Sequence, residues 1–304
     1  NSLCLGPDPE GINCCRHLVS QFSGEKGRYA GRLPYFVYRF FIMAAGRGWW
    51  PEKKYSSMLR SVSLRKDFIL ERMNRADRVL APTRFMEKTL VRNGLDPGVV
   101  AFMPYGLNTK AFEKAPSKKR AQRLRVGFIG SLSEHKGAHI LIEAVRTLPE
   151  ELPVEVKVYG DLNQFPEYTA RIKKMAAGDG RIEFLGQFPN EKIGEVFAGI
   201  DLLVVPSVWY ENTPLVIYSA FASATPVAAT NLGGMSEVVT DGVNGLLFEK
   251  GDSKGLSALL KRCVEERGLV ERLSKNVLPP KSMQKYADEL EEVYGEVIGK
   301  RRKV

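Results

Sequence analysis

VGFIG (126–130), HILIEAVRTL (139–148) and VEVKVYG (154–160) follow one another in the middle of the chain. A β-branched apolar run bounded by glycine suits a short buried strand, whereas apolar residues recurring at helical spacing suit a helix. The alternation continues downstream through EYTARIKKMAA (167–177), IEFLG (182–186), EKIGEVFAG (191–199), DLLVVPS (201–207) and PLVIYSAFAS (214–223). PVAAT (226–230), MSEVVTDG (235–242), GLLF (245–248) and SKGLSALLKRCVEE (253–266) complete it. Strands of about five residues alternating with helices of about ten predict an α/β domain whose parallel, doubly wound sheet is covered on both faces.

Upstream, only the end of a similar pattern is legible. ADRVLAPTRFMEKTLVRNGL (76–95) reads as strand, turn and helix, and VVAFMPYG (99–106) as a further strand. The aromatic and basic stretch 35–75 reads as two helices. Residues 1–31 read as loop, with neither a signal peptide nor a starting strand, so an amino-terminal fragment is expected to be missing. APSKKRAQR (115–123) has the composition of an exposed interdomain linker. The expected organisation is therefore the remainder of a first Rossmann-like domain over 1–107 and a linker over 108–125. A ligand-binding domain follows over 126–280, then a terminal helix over 281–304 that packs back toward the first domain.

The 304 residues are 44% apolar and 26% charged, enough to build cores in two domains and incompatible with long-range disorder. No window carries the roughly 18 uninterrupted apolar residues of a membrane span. Four cysteines, Cys4, Cys14, Cys15 and Cys263, do not make a disulfide framework, and a reduced cytoplasmic setting fits them. Charge is segregated. Residues 1–125 hold 24 Lys and Arg against 10 Asp and Glu, a net +14, while the remainder holds 21 against 25, a net −4. A basic first part suggests acidic lipid headgroups, phosphorylated acceptors or nucleic acid as partner, or a merely solvated face. No groove-reading motif supports nucleic acid. The mixture of cations with Phe40, Phe41, Trp49 and Trp50 instead suits a peripheral position on an anionic membrane surface, the inner face of the cytoplasmic membrane.

Ligands of open α/β sheets bind at the carboxyl ends of the strands, where helix amino-termini offer free N–H groups. Three corners qualify. In GSLSEHKG (130–137) the glycines permit a tight turn and Lys136 stands before a helix, able to neutralise a phosphate. In PSVWYENTPLVIYSAFA (206–222) Pro214 suits the first helical turn, and the N–H groups around Asn212, Thr213, Leu215 and Val216 are expected to point into an interdomain cleft. Glu211, a carboxylate ahead of that helix, reads either as an acceptor for hydroxyls of a neutral polar ligand such as a sugar or as a helix N-terminal acid favoured by the dipole. The third corner, TNLGGMSEVVTDGVNGLLF (230–248), reads as architecture around Gly233 and Gly234. His135 and His139, four apart with no third ligand, read as surface and helix residues and not as a metal site.

ADRVLAPT, MPYGLNTKAF (103–112), GSLSEHKG, ENTPLVIYSAFA (211–222) and GGMSEVVTDGVNGLLF (233–248) stand in an order that resembles the carboxyl-terminal domain of the retaining GT-B glycosyltransferases of family 4. CLGPDPEGINCCRHL (4–18) resembles the cysteine-bearing loop of that family's bacterial cell-surface polysaccharide and O-antigen members. The resemblance implies a GT-B fold of two Rossmann-like domains, the first incomplete. It implies a nucleotide-diphosphate sugar as donor, a glycan or lipid-linked acceptor, transfer with retention, and neither cofactor nor metal. Lys136 and Glu211 would be catalytic, Lys136 on the donor diphosphate and Glu211 on the transferred sugar. Gly130, Ser131, Gly160, Gly186, Gln187 and Phe188 would frame the nucleotide, with Asn212, Thr213, Pro214 and Leu215 at the diphosphate. Two positions depart from the family: Ser131 stands where an arginine is common, and Ser219 where a second glutamate holds the ribose. These departures keep open an alternative, a catalytically weakened nucleotide-sugar or glycan-binding module.

Overall fold

Residues 12–22, 33–47, 49, 53–118, 121–212 and 214–301 are those the structure, a computed structural model, describes. Contacts divide the chain into two units, 1–81 with 87–102 and 82–86 with 103–304.

In the first unit the helices α1 (Ile12–Phe22), α2 (Tyr35–Gly46) and α3 (Lys53–Met73) pack together around buried Ile12, Cys15 and Tyr38, with Phe41, Ile42 and Val62 against them. The two helices read over 35–75 are present. The loop read over 1–31 is corrected: 12–22 is helical. INCCRHLVSQF has weak helix propensity, and its Ile12 and Cys15, three apart and on one face, gain a core only when α2 is there to cover them. The pairing of Phe40 with Phe41 at one interface is also corrected. Successive helical residues point about 100° apart, so Phe41 turns toward this core while Phe40 faces outward. Trp50 lies outside the described residues. β1 (Val79–Ala81) and β2 (Val100–Phe102) pair in parallel, Val79 opposite Val100, as expected of strands separated by a helix, here α4 (Arg84–Arg92).

The second unit opens with α5 (Lys110–Glu113), and Phe112 lies 6.2 Å from Phe197, ring centroid to ring centroid. Next come β3 (Leu124–Ile129), α6 (Ala138–Arg146), β4 (Val154–Tyr159), α7 (Pro166–Ala176) and β5 (Ile182–Gly186). They are followed by α8 (Ile193–Ala198), β6 (Leu202–Val205), α9 (Leu215–Ala222), β7 (Val227–Thr230), α10 (Met235–Val238) and β8 (Gly245–Phe248). Helices α11 (Ser253–Glu265), α12 (Leu269–Lys275) and α13 (Met283–Arg301) close the unit. The six strands, all parallel, run β5-β4-β3-β6-β7-β8.

Burial explains why these runs are strands. In β6 all four residues are buried, Leu202 and Val204 in the core under α6 and α11, Leu203 and Val205 in the core under α8 and α9. A strand covered on both faces reads as a continuous apolar run and not as an alternation. At the sheet edge β5 alternates half-buried and exposed residues. Asp201 fastens β6 to β3, accepting from the Arg125 backbone N–H at 3.0 Å and from its guanidinium at 2.9 and 2.6 Å. Near α13, the Leu107 N–H donates to the Lys281 carbonyl and the Met283 N–H to that of Leu107. Among the described residues no helix is long and apolar enough to cross a membrane.

Candidate functional site

Strand order in the second unit reverses between β3 and β6, so the loops leaving their carboxyl ends diverge and open a crevice, the place where doubly wound sheets bind ligands. These loops are 130–137 and 206–214. The first tightens into a 3₁₀ turn, Glu134–Lys136, then Gly137 adopts φ +75° to start α6. A Cβ on Gly137 would sit 2.0 Å from the Pro206 carbonyl oxygen, so only glycine lets the two loops approach this closely.

That approach sets up a charged pair. Lys136 Nζ lies 2.7 Å from Glu211 Oε1, with the lysine side chain 30% and the carboxylate 14% exposed. Beneath them the fully buried Ser207 hydroxyl stands 2.9 Å from Glu211 Oε1 and 2.9 Å from the His135 carbonyl oxygen, which also accepts the Val208 N–H. A hydroxyl has one proton, so it serves these acceptors in turn. Ser207 was not singled out from the sequence; its only signal was a polar residue ending an apolar strand. Removing it with Ser207→Ala should destabilise the fold by about 1–3 kcal/mol, because a buried carbonyl and carboxylate lose a donor. Thermal melting checks this, and an unchanged Tm would show that the hydroxyl carries no such role.

The third corner completes the loop cluster. The Gly234 N–H donates to the Glu211 carbonyl at 3.1 Å, and a Cβ at Gly234 would meet the Asn212 carbonyl oxygen at 2.1 Å. This corner also holds a residue that sequence reasoning missed. The Glu237 carboxylate accepts the Arg84 N–H at 2.7 Å and the Phe85 N–H, while Thr83 Oγ1 accepts the Met86 N–H at 3.0 Å. Residues 82–86 belong to the second unit, and three of its backbone N–H groups are thus capped within it. No local pattern could show it, since Glu237 is 152 residues from Phe85.

Five residues read as nucleotide-framing, Gly130, Ser131, Gly160, Gln187 and Phe188, do line one cavity of about 380 Å³ with Tyr159, Asp161 and Gln164. Gly186, at φ +73°, turns the chain into it, and its carbonyl accepts the Gly160 N–H. The Tyr159 and Phe188 rings meet edge-on at 5.3 Å, and burial raises the Tyr159 phenol above its ordinary pKa. Such a wall of aromatic and amide groups suits a planar heterocycle. Ser219 belongs to a separate cavity of about 570 Å³ with Leu107, Asn108 and Glu191, and its hydroxyl donates to the Leu215 carbonyl. Helix α9 starts at Leu215, with Pro214 in the capping position and not in the first turn, and Thr213 lies outside the described residues.

Other charged groups are engaged structurally. His139 Nδ1 lies 2.9 Å from the Tyr168 hydroxyl, and burial lowers the imidazole pKa while pushing the phenol up to about 12. A larger cavity, about 610 Å³, opens at the opposite end of the sheet beside Arg146 and Arg181. There Arg181 pairs with Asp179 at 2.7 Å and donates to the Val145 and Pro149 carbonyls, closing the end of α6. Its charge is consumed by the fold, so the crevice at β3 and β6 is the candidate site despite its smaller size. Among the described residues no group of three or more His, Cys, Asp and Glu could hold a metal ion.

Residues 109–278 match the family model described as glycosyl transferases group 1. A D-inositol 3-phosphate glycosyltransferase of Geodermatophilus obscurus is 29% identical over 238 residues, 72% of this chain and 52% of the relative. An alpha-maltose-1-phosphate synthase of Mycolicibacterium smegmatis is 31% identical over 206 residues, 62% and 53% of the two chains. The chain thus spans about half the length of these relatives. Among solved structures, that of Anabaena Alr3699/HepE in complex with UDP and glucose superposes with a TM-score of 0.66 at 22% identity, covering 76% of this chain and 66% of that one.

Proposed function

This chain belongs to the glycosyl transferases group 1, with a GT-B fold built on Rossmann-like parallel sheets, and from that premise we propose that it moves a sugar from a nucleotide-diphosphate sugar to a glycan or lipid-linked acceptor with retention, as a family 4 enzyme. The observation that carries this reading is the Lys136–Glu211 pair, held at 2.7 Å where the strand order reverses. It offers a cation for a diphosphate and a carboxylate for sugar hydroxyls side by side.

In the reaction the bond from the anomeric carbon to the diphosphate oxygen breaks, and its electron pair stays on that oxygen. The acceptor hydroxyl oxygen bonds the anomeric carbon on the same face, and its proton passes to the departing phosphate. Lys136 exchanges Glu211 for the diphosphate and stabilises the charge that grows there, aided by the N–H groups at the start of α9. Glu211, freed, accepts the sugar hydroxyls. These groups supply the positive charge without a metal in this reading. The cavity of Tyr159 and Phe188 takes the base, and the complex of the Anabaena relative with UDP and glucose supports a nucleoside diphosphate as ligand.

Calorimetry with UDP, GDP and ADP, followed by transfer of radiolabelled sugar from the matching donors with and without EDTA, tests the reading. One nucleoside diphosphate should bind and support EDTA-insensitive transfer. Absence of both binding and transfer would overturn it, and binding without turnover would return the chain to the binding-module alternative. A further expectation concerns Ser219. Ser219→Glu extends a carboxylate into the cavity beside Asn108, and in this reading a ribose that reaches there from the base in the Tyr159–Phe188 cavity donates two hydroxyls to it. Nucleoside diphosphate binding should tighten by roughly tenfold, the lower end for a charged hydrogen bond. Weaker binding by a folded variant would show that this position does not face the ribose.

A further inference from the structure

Helix α2 is apolar on both of its sides, and among the described residues only one of them packs into a core of its unit. Tyr38 and Ala44 are 1% and 4% exposed, Tyr38 in the core with Ile12 and Cys15. On the other side Phe36, Phe40 and Met43 are 71%, 53% and 42% exposed. Their spacing of four and then three residues aligns them in one stripe along the helix. Single exposed apolar residues need no explanation, but a periodic stripe of large ones marks an interaction surface.

Charge identifies what covers it. Arg39, three residues after Phe36 on α2, and Arg47, in the turn just past Gly46, are exposed, and the Arg47 guanidinium lies 5.4 Å from the ring centroid of Trp49, itself 66% exposed. Between Glu25 and Glu52 the sequence holds five cations, Lys26, Arg28, Arg32, Arg39 and Arg47, and no acidic residue. A second copy of the chain seated on this face would bring like charges together across a two-fold axis. An anionic bilayer instead pairs with the arginines and admits the rings and the methionine at the headgroup boundary. Twelve residues extend about 18 Å, short of the roughly 30 Å hydrocarbon core, so the helix lies in the interface and does not cross it.

We propose that the Phe36–Phe40–Met43 face of α2, flanked by Arg39, Arg47 and Trp49, docks the protein on an anionic lipid surface. This surface is independent of the crevice between β3 and β6, and its occupancy does not depend on glycosyl transfer.

Sedimentation with vesicles of phosphatidylcholine containing about 30% phosphatidylserine tests it, with pure phosphatidylcholine vesicles alongside. The protein should pellet with the anionic vesicles at low salt, be released by high salt, and stay in solution with the neutral ones. Phe36→Ser with Phe40→Ser, and separately Arg47→Glu, should each weaken vesicle binding about tenfold or more while leaving the circular dichroism spectrum unchanged. Equal pelleting with neutral vesicles, none at low salt, or undiminished binding by both variants would overturn the proposal. So would a concentration-dependent dimer in light scattering that Phe36→Ser with Phe40→Ser abolishes, since the stripe would then join two copies.

Discussion

Lys136→Ala is expected to lower kcat/KM for the nucleotide-sugar donor by about 10²–10³-fold, the range for losing one preorganised group at a site of developing charge. Lys136 stands within an ion pair that a diphosphate can enter, 2.7 Å from Glu211. An alanine leaves the growing negative charge with only the N–H groups of α9. Stability should fall by about 1–3 kcal/mol, because the largely buried Glu211 carboxylate loses its cation and keeps only the Ser207 hydroxyl. Melting and kinetics are therefore read on the same variant. A folded variant with kcat/KM reduced a hundredfold at a temperature well below its Tm supports the role, and an unchanged kcat/KM assigns the diphosphate to another residue.

Gly137→Ala should produce the largest loss of stability, about 3–5 kcal/mol. Two causes add. The φ of +75° costs an L-residue about 1–2 kcal/mol, and the new Cβ would stand 2.0 Å from the Pro206 carbonyl oxygen, a backbone atom that cannot swing away. Relieving the clash would push the 130–137 loop from the 206–214 loop, so the Lys136–Glu211 contact should be lost too. For a domain of this size the Tm should fall by roughly 10 °C. Gly178→Ala supplies the control: its φ is +85°, but nothing lies within 4 Å of the added Cβ. It should cost only the dihedral strain. Equal melting of the two variants would show that the loops are not held in contact at Gly137.

The strands of the second unit were legible because both faces are covered. VGFIG and DLLVVPS needed no alternation to be recognised, and the observed β3 and β6 fall within two residues of those readings. GSLSEHKG and the Glu211 turn were legible as loops that lead from a strand into a helix because glycine and proline have strong local preferences at helix starts. The helix over 12–22 was not legible, since its burial comes from residues more than twenty positions away. Phe40 and Phe41 look equivalent in sequence, and only the packing of α2 on α1 distinguishes the ring that faces outward from the ring that faces the core.

Local chemistry by itself determined the alternation of strands and helices, the parallel sheet, the segregation of positive charge into the first 125 residues, and the glycine- and proline-bearing loops between strands and helices. Those properties depend on side-chain type and on spacings of two to four residues, which a linear reading contains. Tertiary structure alone decided which of those groups meet. Lys136 reaches Glu211 across 75 positions, and within the same unit Glu237 accepts the Phe85 N–H from 152 positions away. Ser207 becomes a buried donor, and Ser219 falls into a cavity apart from the one that Gln187 and Phe188 line. Contacts of this kind follow from strand order and from the close approach of Gly137 and Gly234 to neighbouring carbonyls, and a short-range pattern carries no information about either.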